Sequence, residues 1–251
     1  MSQVSASFKA FERAGWSARA ATYGVLMARA TVHATPALLD GVGRGTRLLD
    51  VGSGLGDLCA AAAQRGAVTT GIDLAPNMVA TARERHPGLT FIVGDAEHLP
   101  FGDGEFDVAT AAFVINHLPD PERAVAEMRR VARRVSVAMW AEDTLLFALP
   151  DRAIGAAPPI PGPDAERFAS RENLLALVPG DVTEIAFDLE LESFDTLWDG
   201  LLGGTVRTAA RLTDSARPEL QRLAAPYRRG DGYALPTTVR VVTACSDRPG
   251  P

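Results

Sequence analysis

The clearest candidate for chemistry is a glycine-rich segment at residues 50–58, Asp-Val-Gly-Ser-Gly-Leu-Gly-Asp-Leu. It follows the apolar run RLLDV at 47–51 and precedes a helical pattern, DLCAAAAQR. Glycine adopts positive φ angles without strain and lets a ligand approach the backbone closely. The segment therefore predicts a turn between a strand and a helix, which either surrounds a ligand or only reverses the chain.

The spacing of the glycines bears on which ligand this turn could bind. Dinucleotide-binding folds use G-x-G-x-x-G and direct a helix N-terminus at a pyrophosphate. Here the third glycine, Gly56, comes one position early, and Asp57 stands where that pattern has its last glycine. A carboxylate there would repel a diphosphate, and no G-K-[ST] is present for a nucleoside triphosphate. An NAD-dependent oxidoreductase is therefore a disfavoured interpretation.

Two further carboxylates come at the ends of later strand-like runs. Asp73 ends TTGID, a position from which a carboxylate can accept both hydroxyls of a ribose. Asp95 ends TFIVGD and is followed by Ala96, whose backbone N–H completes a pair suited to the exocyclic amine and a ring nitrogen of adenine. With an aspartate of the glycine-rich segment, three carboxylates would surround one pocket. This favours a cationic adenosine ligand without phosphates.

One histidine is a candidate general base. His117 lies just after the fourth strand-like run, near the point of an open α/β sheet where ligands bind. Imidazole suits proton transfer near neutral pH. The alternative is a packing histidine that orders the turn NHLPD, and the sequence leaves both open.

Aromatic side chains are candidates for an acceptor pocket. Trp16 and Tyr23, seven residues apart, share one face of an N-terminal helical stretch, where they either pack in the core or cover the acceptor. Phe113, Trp140 and Phe147 could line the same pocket, although apolar residues at strand ends are usually buried.

The elements that position these residues alternate between strand and helix. Strand-like runs occur at 47–51, 69–73, 90–95, 106–113 and 135–140, with helical patterns between them. Such alternation predicts right-handed crossovers and a parallel sheet covered on both faces. Later come a helical stretch near 143–154, a helix from Ser170, a strand at 182–194, two helical patterns and a strand at 237–246.

Four motifs along the chain resemble those of class I S-adenosylmethionine (SAM)-dependent methyltransferases. They are LLDVGSGLGDL, GIDLAPNM, VGDAEHLPF and FDVATAAFVINHLPD, in this order within residues 46–140. The small-molecule branch, with quinone, sterol and natural-product methyltransferases, is the most similar. The resemblance implies an α/β fold with a Rossmann-like, seven-stranded sheet, mostly parallel with an antiparallel last strand, plus a helical lid.

The same resemblance implies SAM as cofactor, S-adenosylhomocysteine (SAH) as product, and no metal. Cofactor contacts are implied at Asp50, Gly52, Ser53, Gly54, Gly56, Asp73, Leu74, Met78, Asp95, Ala96 and Ala112. Residues 1–45 would form the lid, 46–142 the cofactor-binding core, and 143–251 the substrate-specificity helices with the last two strands.

Composition limits the remaining possibilities. With 251 residues, 47% hydrophobic and 22% charged, the chain has the composition of a globular protein. The longest run without Asp, Glu, Lys or Arg is 108–119, shorter than the roughly 20 apolar residues of a membrane span. A net charge of −6 argues against a nucleic-acid partner. The arginines at 129, 130, 133 and 134 are expected to form a solvated helix face.

Two other features bear on location and redox state. Lys9, Glu12 and Arg13 interrupt the N-terminal stretch where a signal peptide would be apolar, so we expect a cytoplasmic protein. The two cysteines, Cys59 and Cys245, are too few for a disulfide framework or a cysteine zinc site, and both are expected in buried positions.

These observations predict methyl transfer from SAM to an oxygen, nitrogen or carbon of a small molecule, in secondary metabolism or in quinone or lipid-like metabolism. Two alternatives keep SAM but not the transfer: a cyclase or pericyclase on the same scaffold, and a module that only binds the cofactor. A monomer and a homodimer remain equally open.

Overall fold

The computed structural model describes residues 3–156, 160, 162–164 and 166–245, and for residues 3 and 4 the backbone alone. Its centre is one sheet with the strand order β3-β2-β1-β4-β5-β8-β6, and a two-residue strand, β7, pairs with β8 beside this path. The strands are β1 (Arg47–Val51), β2 (Val68–Asp73), β3 (Thr90–Val93), β4 (Phe106–Ala112), β5 (Ala132–Trp140), β6 (Asp181–Leu191), β7 (Arg228–Arg229) and β8 (Gly232–Cys245).

The pairing confirms the predicted fold class. Strands β1 to β5 pair in parallel, and β8 runs antiparallel to both β5 and β6. The seven strands on the main path are those that the sequence predicts, and β7 adds a short ribbon.

Helices cover both faces of the sheet. They are α1 (Gln3–Arg19), α2 (Met27–Thr31), α3 (Thr35–Leu38), α4 (Asp57–Gln64), α5 (Pro76–Arg85), α6 (Pro121–Val131), α7 (Leu145–Ile154), α8 (Arg171–Leu177), α9 (Phe194–Gly204), α10 (Arg207–Arg211) and α11 (Arg217–Ala224). Side chains alternate between the faces of a strand. In β1, Leu48 therefore packs in one apolar cluster with α9 and α11, whereas Leu49 packs in another with α6 and α8.

Several boundaries differ from the sequence prediction for identifiable reasons. Strand β6 ends at Leu191 rather than 194, because Ser193 caps α9 by accepting the N–H of Thr196 at 3.1 Å. Strand β8 begins at Gly232 although it contains Pro236. This part of β8 pairs with β6 but lies beyond the end of β5, so the missing proline N–H falls on an unpaired edge.

The topology determines where a ligand can bind. The chain passes from β1 outward to β3 and then returns to β4 on the other side of β1. Ligands of open α/β sheets bind beyond the carboxyl ends of the strands at such a switch point. The turns after β1, β2, β3 and β4 meet at this edge.

Candidate functional site

The glycine-rich turn is held in place by the end of the neighbouring strand. The N–H groups of Gly52 and Ser53 donate to the carbonyl of Ile72, at 2.7 and 3.1 Å. The N–H of Gly54 donates to Oδ2 of Asp73 at 2.9 Å. Gly52 has φ +70°, and a Cβ there would overlap the side chain of Val114, so the turn requires glycine at this position.

Asp50 lies beneath this turn and is 2% exposed. Its Oδ1 accepts a hydrogen bond from the Thr110 hydroxyl at 2.9 Å, and the Cys59 thiol lies 3.9 Å from its Oδ2. Burial raises the pKa of Asp50 to about 7, helped by the charge of Asp73 and opposed by the Thr110 bond. A cation above the turn would therefore favour the ionised form of Asp50.

Each carboxylate oxygen of Asp73 accepts one backbone hydrogen bond and can accept another. Its Oδ2 accepts the N–H of Gly54, and its Oδ1 accepts the N–H of Ala75 at 2.8 Å. Burial raises its pKa, and these two backbone bonds oppose the change. Because a carboxylate oxygen accepts about two hydrogen bonds, each oxygen can accept one more.

Asp95 has a partner that the sequence did not suggest. The ammonium of Lys9 lies 2.7 Å from Oδ2 of Asp95 and 2.8 Å from Oε2 of Glu97. Burial raises the pKa of Asp95, but the bonds from Lys9 and from the Glu97 N–H outweigh it and lower the pKa. The other oxygen, Oδ1, accepts the Glu97 N–H at 3.0 Å. The N-terminal helix is therefore attached to the strand end predicted to contact adenine.

A cleft of about 100 Å³ lies between these turns and α1. It is lined by Lys9, Glu12, Trp16, Tyr23, Val51, Gly52, Gly54, Ile72, Asp73, Leu74, Met78, Gly94, Asp95, Ala96, Ala112, Phe113, Val114, His117, Leu118 and Pro119.

Aromatic residues of the N-terminal segment form one wall of the cleft. The ring of Trp16 lies edge-to-face with the rings of Tyr23, at 5.9 Å, and His117, at 5.1 Å. Trp16 and Tyr23 pack against a cluster that includes Leu55 and Met78. Burial raises the pKa of Tyr23 to about 12, so its hydroxyl stays protonated and does not serve as a base near neutral pH.

His117 is bound to a buried carboxylate. Its Nδ1 lies 3.1 Å from Oε2 of Glu12, which is 1% exposed, and Oε1 of Glu12 accepts the Nε–H of Arg207 at 2.8 Å. Burial raises the pKa of Glu12, but His117 and Arg207 together outweigh it and lower the pKa. Arg207 also donates to the carbonyls of Asn116 and Pro163, at 2.6 and 3.1 Å.

Phe113 adopts φ +59°, a rare conformation for a residue that is not glycine. It directs the chain from β4 into the short helical turn Ile115–His117. Its ring packs against Trp140 at an interplanar angle of 30° with centroids 4.1 Å apart, and Trp140 contacts Phe147 at 5.4 Å. Strained backbone of this kind occurs often at functional sites.

The structure brings together most of the residues predicted for the site, but not all. Twelve line the cleft: Trp16, Tyr23, Gly52, Gly54, Asp73, Leu74, Met78, Asp95, Ala96, Ala112, Phe113 and His117. Five do not line it: Asp50, Ser53, Gly56, Trp140 and Phe147. Asp50 lies in β1 beneath the turn, Ser53 and Gly56 belong to the turn itself, and Trp140 and Phe147 extend the aromatic cluster behind Phe113.

Lys9, Glu12 and Arg207 were missed as site residues. Lys9, Glu12 and Trp16 follow the spacing i, i+3, i+7, which places them on one helix face and could have identified the first two. Arg207 is 195 residues from Glu12, and no local pattern indicates that contact.

Other candidate features lie away from this chemistry. A larger cavity of about 750 Å³ between α6 and α8 contains Arg129, Arg130 and Arg167, but none of the predicted site residues. Cys245 also lines it and is exposed, so the expected burial of this cysteine is wrong: it is the last residue of β8. Cys59 is buried as expected.

A cluster of possible metal ligands lies beside the cleft. Ligand atoms of Asp95, Glu97 and His98 lie within 4.8 Å of one another, a spacing that could suit a metal, but the Lys9 ammonium binds both carboxylates. Within the described ranges, no helix combines the length and apolar character needed to cross a bilayer.

Comparison with known families agrees with this geometry. Residues 49–138, which include the glycine-rich turn and the strands beside it, match the sequence profile of the methyltransferase domain family. This part of the chain is therefore similar to known methyltransferase domains. The predicted resemblance to class I SAM-dependent methyltransferases is thereby confirmed, with SAM as the cofactor of that class.

Curated relatives of this part of the chain include demethylmenaquinone methyltransferases. A demethylmenaquinone methyltransferase of Chlorobaculum tepidum is 41% identical over 91 residues, 36% of this chain and 38% of that protein. Another, from Renibacterium salmoninarum, is 37% identical over 98 residues, 38% of this chain and 41% of that protein. The matches thus span about two fifths of the relatives' own length.

Solved structures share the fold over most of the chain. A protein of Bacillus halodurans C-125 has a TM-score of 0.60 at 15% identity, covering 85% of this chain and 99% of its own. The YcgJ protein of Bacillus subtilis has a TM-score of 0.58 at 20% identity, covering 87% and 100%. At these identities the similarity shows the fold alone.

Proposed function

We propose that this protein transfers the methyl group of SAM to a small, largely apolar acceptor. The observation that carries the proposal is the meeting of the glycine-rich turn, Asp73 and the Asp95–Ala96 pair in one cleft within a methyltransferase domain. The domain would bind the cofactor, while residues 1–45 and 143–251 would form the lid and the specificity region.

The residues present fit SAM on structural grounds. Gly54 lines the cleft with φ +51°, and a Cβ there would meet nothing within 4 Å, so its side of the turn leaves room for a ligand. Beneath it, the buried Ser53 hydroxyl has no hydrogen-bond partner among the described residues. Asp73 has one free acceptor position on each oxygen, which matches the two hydroxyls of a ribose.

Each group has a defined task in this assignment. Asp73 would bind the ribose, Asp95 and the N–H of Ala96 the adenine, and the turn from Gly52 to Gly56 the methionine half. Bound SAM supplies an electrophilic methyl group and its own leaving group. The chain therefore has to align the acceptor, exclude water and accept a proton where the acceptor carries one.

Helix α1 must move for a nucleoside to enter. The cleft volume of about 100 Å³ is below the roughly 300–1,000 Å³ of pockets that bury drug-sized ligands. The polar contacts that attach α1 include the Lys9 ion pairs, the Glu12 bonds to His117 and Arg207, and the bond of the Asn77 amide to the Ser17 carbonyl at 3.1 Å. We infer that α1 opens to admit ligands and closes over them.

We propose a reduced quinone or a related aromatic alcohol as the acceptor class. Support comes from the demethylmenaquinone methyltransferase relatives and from Trp16, Tyr23 and Phe113 on the cleft wall. Aromatic side chains bury a planar ring well, and the polar edge of Tyr23 or His117 can contact a hydroxyl.

The test uses SAM with a trideuterated methyl group and a panel of acceptors that includes 1,4-dihydroxynaphthalene, simple phenols and amines. Mass spectrometry should show a trideuteromethyl gain on an aromatic acceptor, together with SAH. Asp73→Ala is expected to lose this product, while Asp57→Ala, which changes an exposed carboxylate outside the cleft, retains it. SAH release without any methylated acceptor, or no product with the wild type, would contradict the proposal.

A further inference from the structure

The contact between Glu12 and His117 joins α1 to the turn after β4, across the cleft. Oε2 of Glu12 and Nδ1 of His117 are 3.1 Å apart, and the Glu12 carboxylate is almost fully buried. Arg207, 13% exposed, binds the other oxygen and places its guanidinium 4.6 Å from the ring centre of Phe8. A buried carboxylate with two partners on separate elements has one well-defined orientation.

We propose that Glu12 is a positioning residue that holds the proton of His117 on Nδ1, so that Nε2 is the base that takes a proton from the acceptor. The base role of His117 rests on the proposed function, whereas the position of its proton follows from this chain alone.

The hydrogen-bond donors and acceptors of Glu12, His117 and Arg207 determine which nitrogen of His117 carries the proton. A guanidinium can only donate, so Oε1 of Glu12 is an acceptor for Arg207. An ionised carboxylate can only accept, so Oε2 requires a donor, and that donor is Nδ1–H of His117. A neutral imidazole carries one proton, which leaves Nε2 with its lone pair.

The surroundings suit a base at this position. Trp16 lies edge-to-face against the imidazole, and no described residue hydrogen-bonds to Nε2. His117 contacts Glu12 directly, Arg207 and Arg19 both interact with Glu12, and Lys9, Asp73 and Asp95 lie on other walls of the cleft. The positive charge that forms on His117 would lie beside the carboxylate of Glu12, which stabilises it.

The proton balance of the step is simple for a hydroxyl acceptor. The acceptor O–H bond breaks and its proton goes to Nε2 of His117, while the oxygen forms its bond to the methyl group. The electron pair of the broken carbon–sulfur bond remains on sulfur as SAH leaves. His117 then releases the proton to water through the opened cleft.

Glu12→Gln tests this arrangement sharply because the replacement has the same shape. Arg207 can only donate, so the glutamine oxygen must face it and the glutamine NH₂ must face Nδ1 of His117. Nδ1 then becomes the acceptor and the proton moves to Nε2, the atom that has to be free. A wrong tautomer of this kind removes base catalysis while leaving the fold intact.

The measurement is ¹⁵N NMR of histidine-labelled protein near pH 8.5, where a free imidazole is neutral. His117→Asn assigns the signals among the four histidines of the chain. We expect the wild type to show a protonated Nδ1 and an unprotonated Nε2, and Glu12→Gln to show the reverse. Glu127→Gln removes a carboxylate bound to Arg130 on α6, outside the cleft, and should leave the His117 signals unchanged.

Turnover is then measured with SAM and 1,4-dihydroxynaphthalene, or with whichever panel member is methylated. Glu12→Gln should lower turnover by about 10²–10⁴-fold with SAH affinity within threefold of the wild type. A wild-type spectrum with the proton on Nε2 would overturn the proposal without any variant. Turnover of Glu12→Gln within threefold of wild type would overturn the base role. If no acceptor is methylated, the proposed function and the base role fail together, and NMR still decides the position of the proton.

Discussion

Replacement of Asp73 by alanine removes the two acceptor positions assigned to the ribose. The carboxylate already accepts the N–H groups of Gly54 and Ala75, at 2.9 and 2.8 Å, so one acceptor position remains on each oxygen. A hydrogen bond to a charged group contributes roughly 1.5–3 kcal/mol, so two contribute roughly 3–6 kcal/mol. Because about 1.4 kcal/mol corresponds to a tenfold change, SAH should bind about 10²–10⁴-fold more weakly.

We expect Asp73→Ala to reduce the stability of the fold less than it reduces the affinity for SAH. Burial raises the pKa of Asp73, which means that the ionised carboxylate costs free energy in the folded protein, and alanine relieves that cost. The assay is calorimetric titration of SAH into the wild type, Asp73→Ala and Asp57→Ala. The last variant loses a half-exposed carboxylate paired with Arg85 and should bind within twofold of the wild type. SAH binding by Asp73→Ala within threefold of the wild type would refute the ribose assignment.

Three further substitutions probe the turn, the buried aspartate and the attachment of α1. Asp50 has a pKa of about 7 in the folded protein, compared with an ordinary value of 3.8. The free energy of unfolding should therefore fall between pH 4 and pH 7 by about 4 kcal/mol, because the unfolded chain releases this proton first. Asp50→Asn should therefore be the more stable protein to urea at pH 8, with the gap closing toward pH 4; equal stability at pH 8 would contradict this. Gly52→Ala should cost about 2–4 kcal/mol from strain at φ +70° and overlap with Val114, measured by urea unfolding, and a loss below about 0.5 kcal/mol would count against the turn geometry. Lys9→Met should cost about 2–4 kcal/mol at pH 7, since Glu97 is buried. The pKa of Asp95 is lowered from its ordinary 3.8, so the Lys9–Asp95 part of this cost should begin to shrink as the pH falls below that ordinary value and should be lost once the pH passes through the lowered pKa. A stability difference that does not shrink at all under acid conditions would contradict a contribution from this ion pair.

The sheet and the cofactor turn were predictable because their signals are local. Each strand is a short apolar run, and the glycines of the turn after β1 have positive φ angles that favour glycine. The order of strands then brings Asp73 and Asp95 to the same edge as the turn. Local sequence patterns and the connection rules of parallel sheets are therefore sufficient to predict the sheet, the turn and the position of these two aspartates.

The closing of the cleft by α1 was less predictable because it depends on contacts between distant parts of the chain. The prediction that Trp16 and Tyr23 share one helix face is wrong, because α1 ends at Arg19 and Tyr23 lies in a separate helical turn. The attachment of α1 is made in part by the pairs Lys9–Asp95 and Glu12–Arg207. The strain at Phe113 likewise has no local signature, since its positive φ is imposed by the surrounding structure.

The most direct test of the central claim is calorimetric titration of SAH and of NAD into the wild-type protein. The account predicts saturable one-to-one binding of SAH and no saturable heat with NAD, because the glycine spacing of the turn differs from the pattern that binds a diphosphate. Absence of saturable SAH binding, or NAD binding of equal strength, would contradict the account.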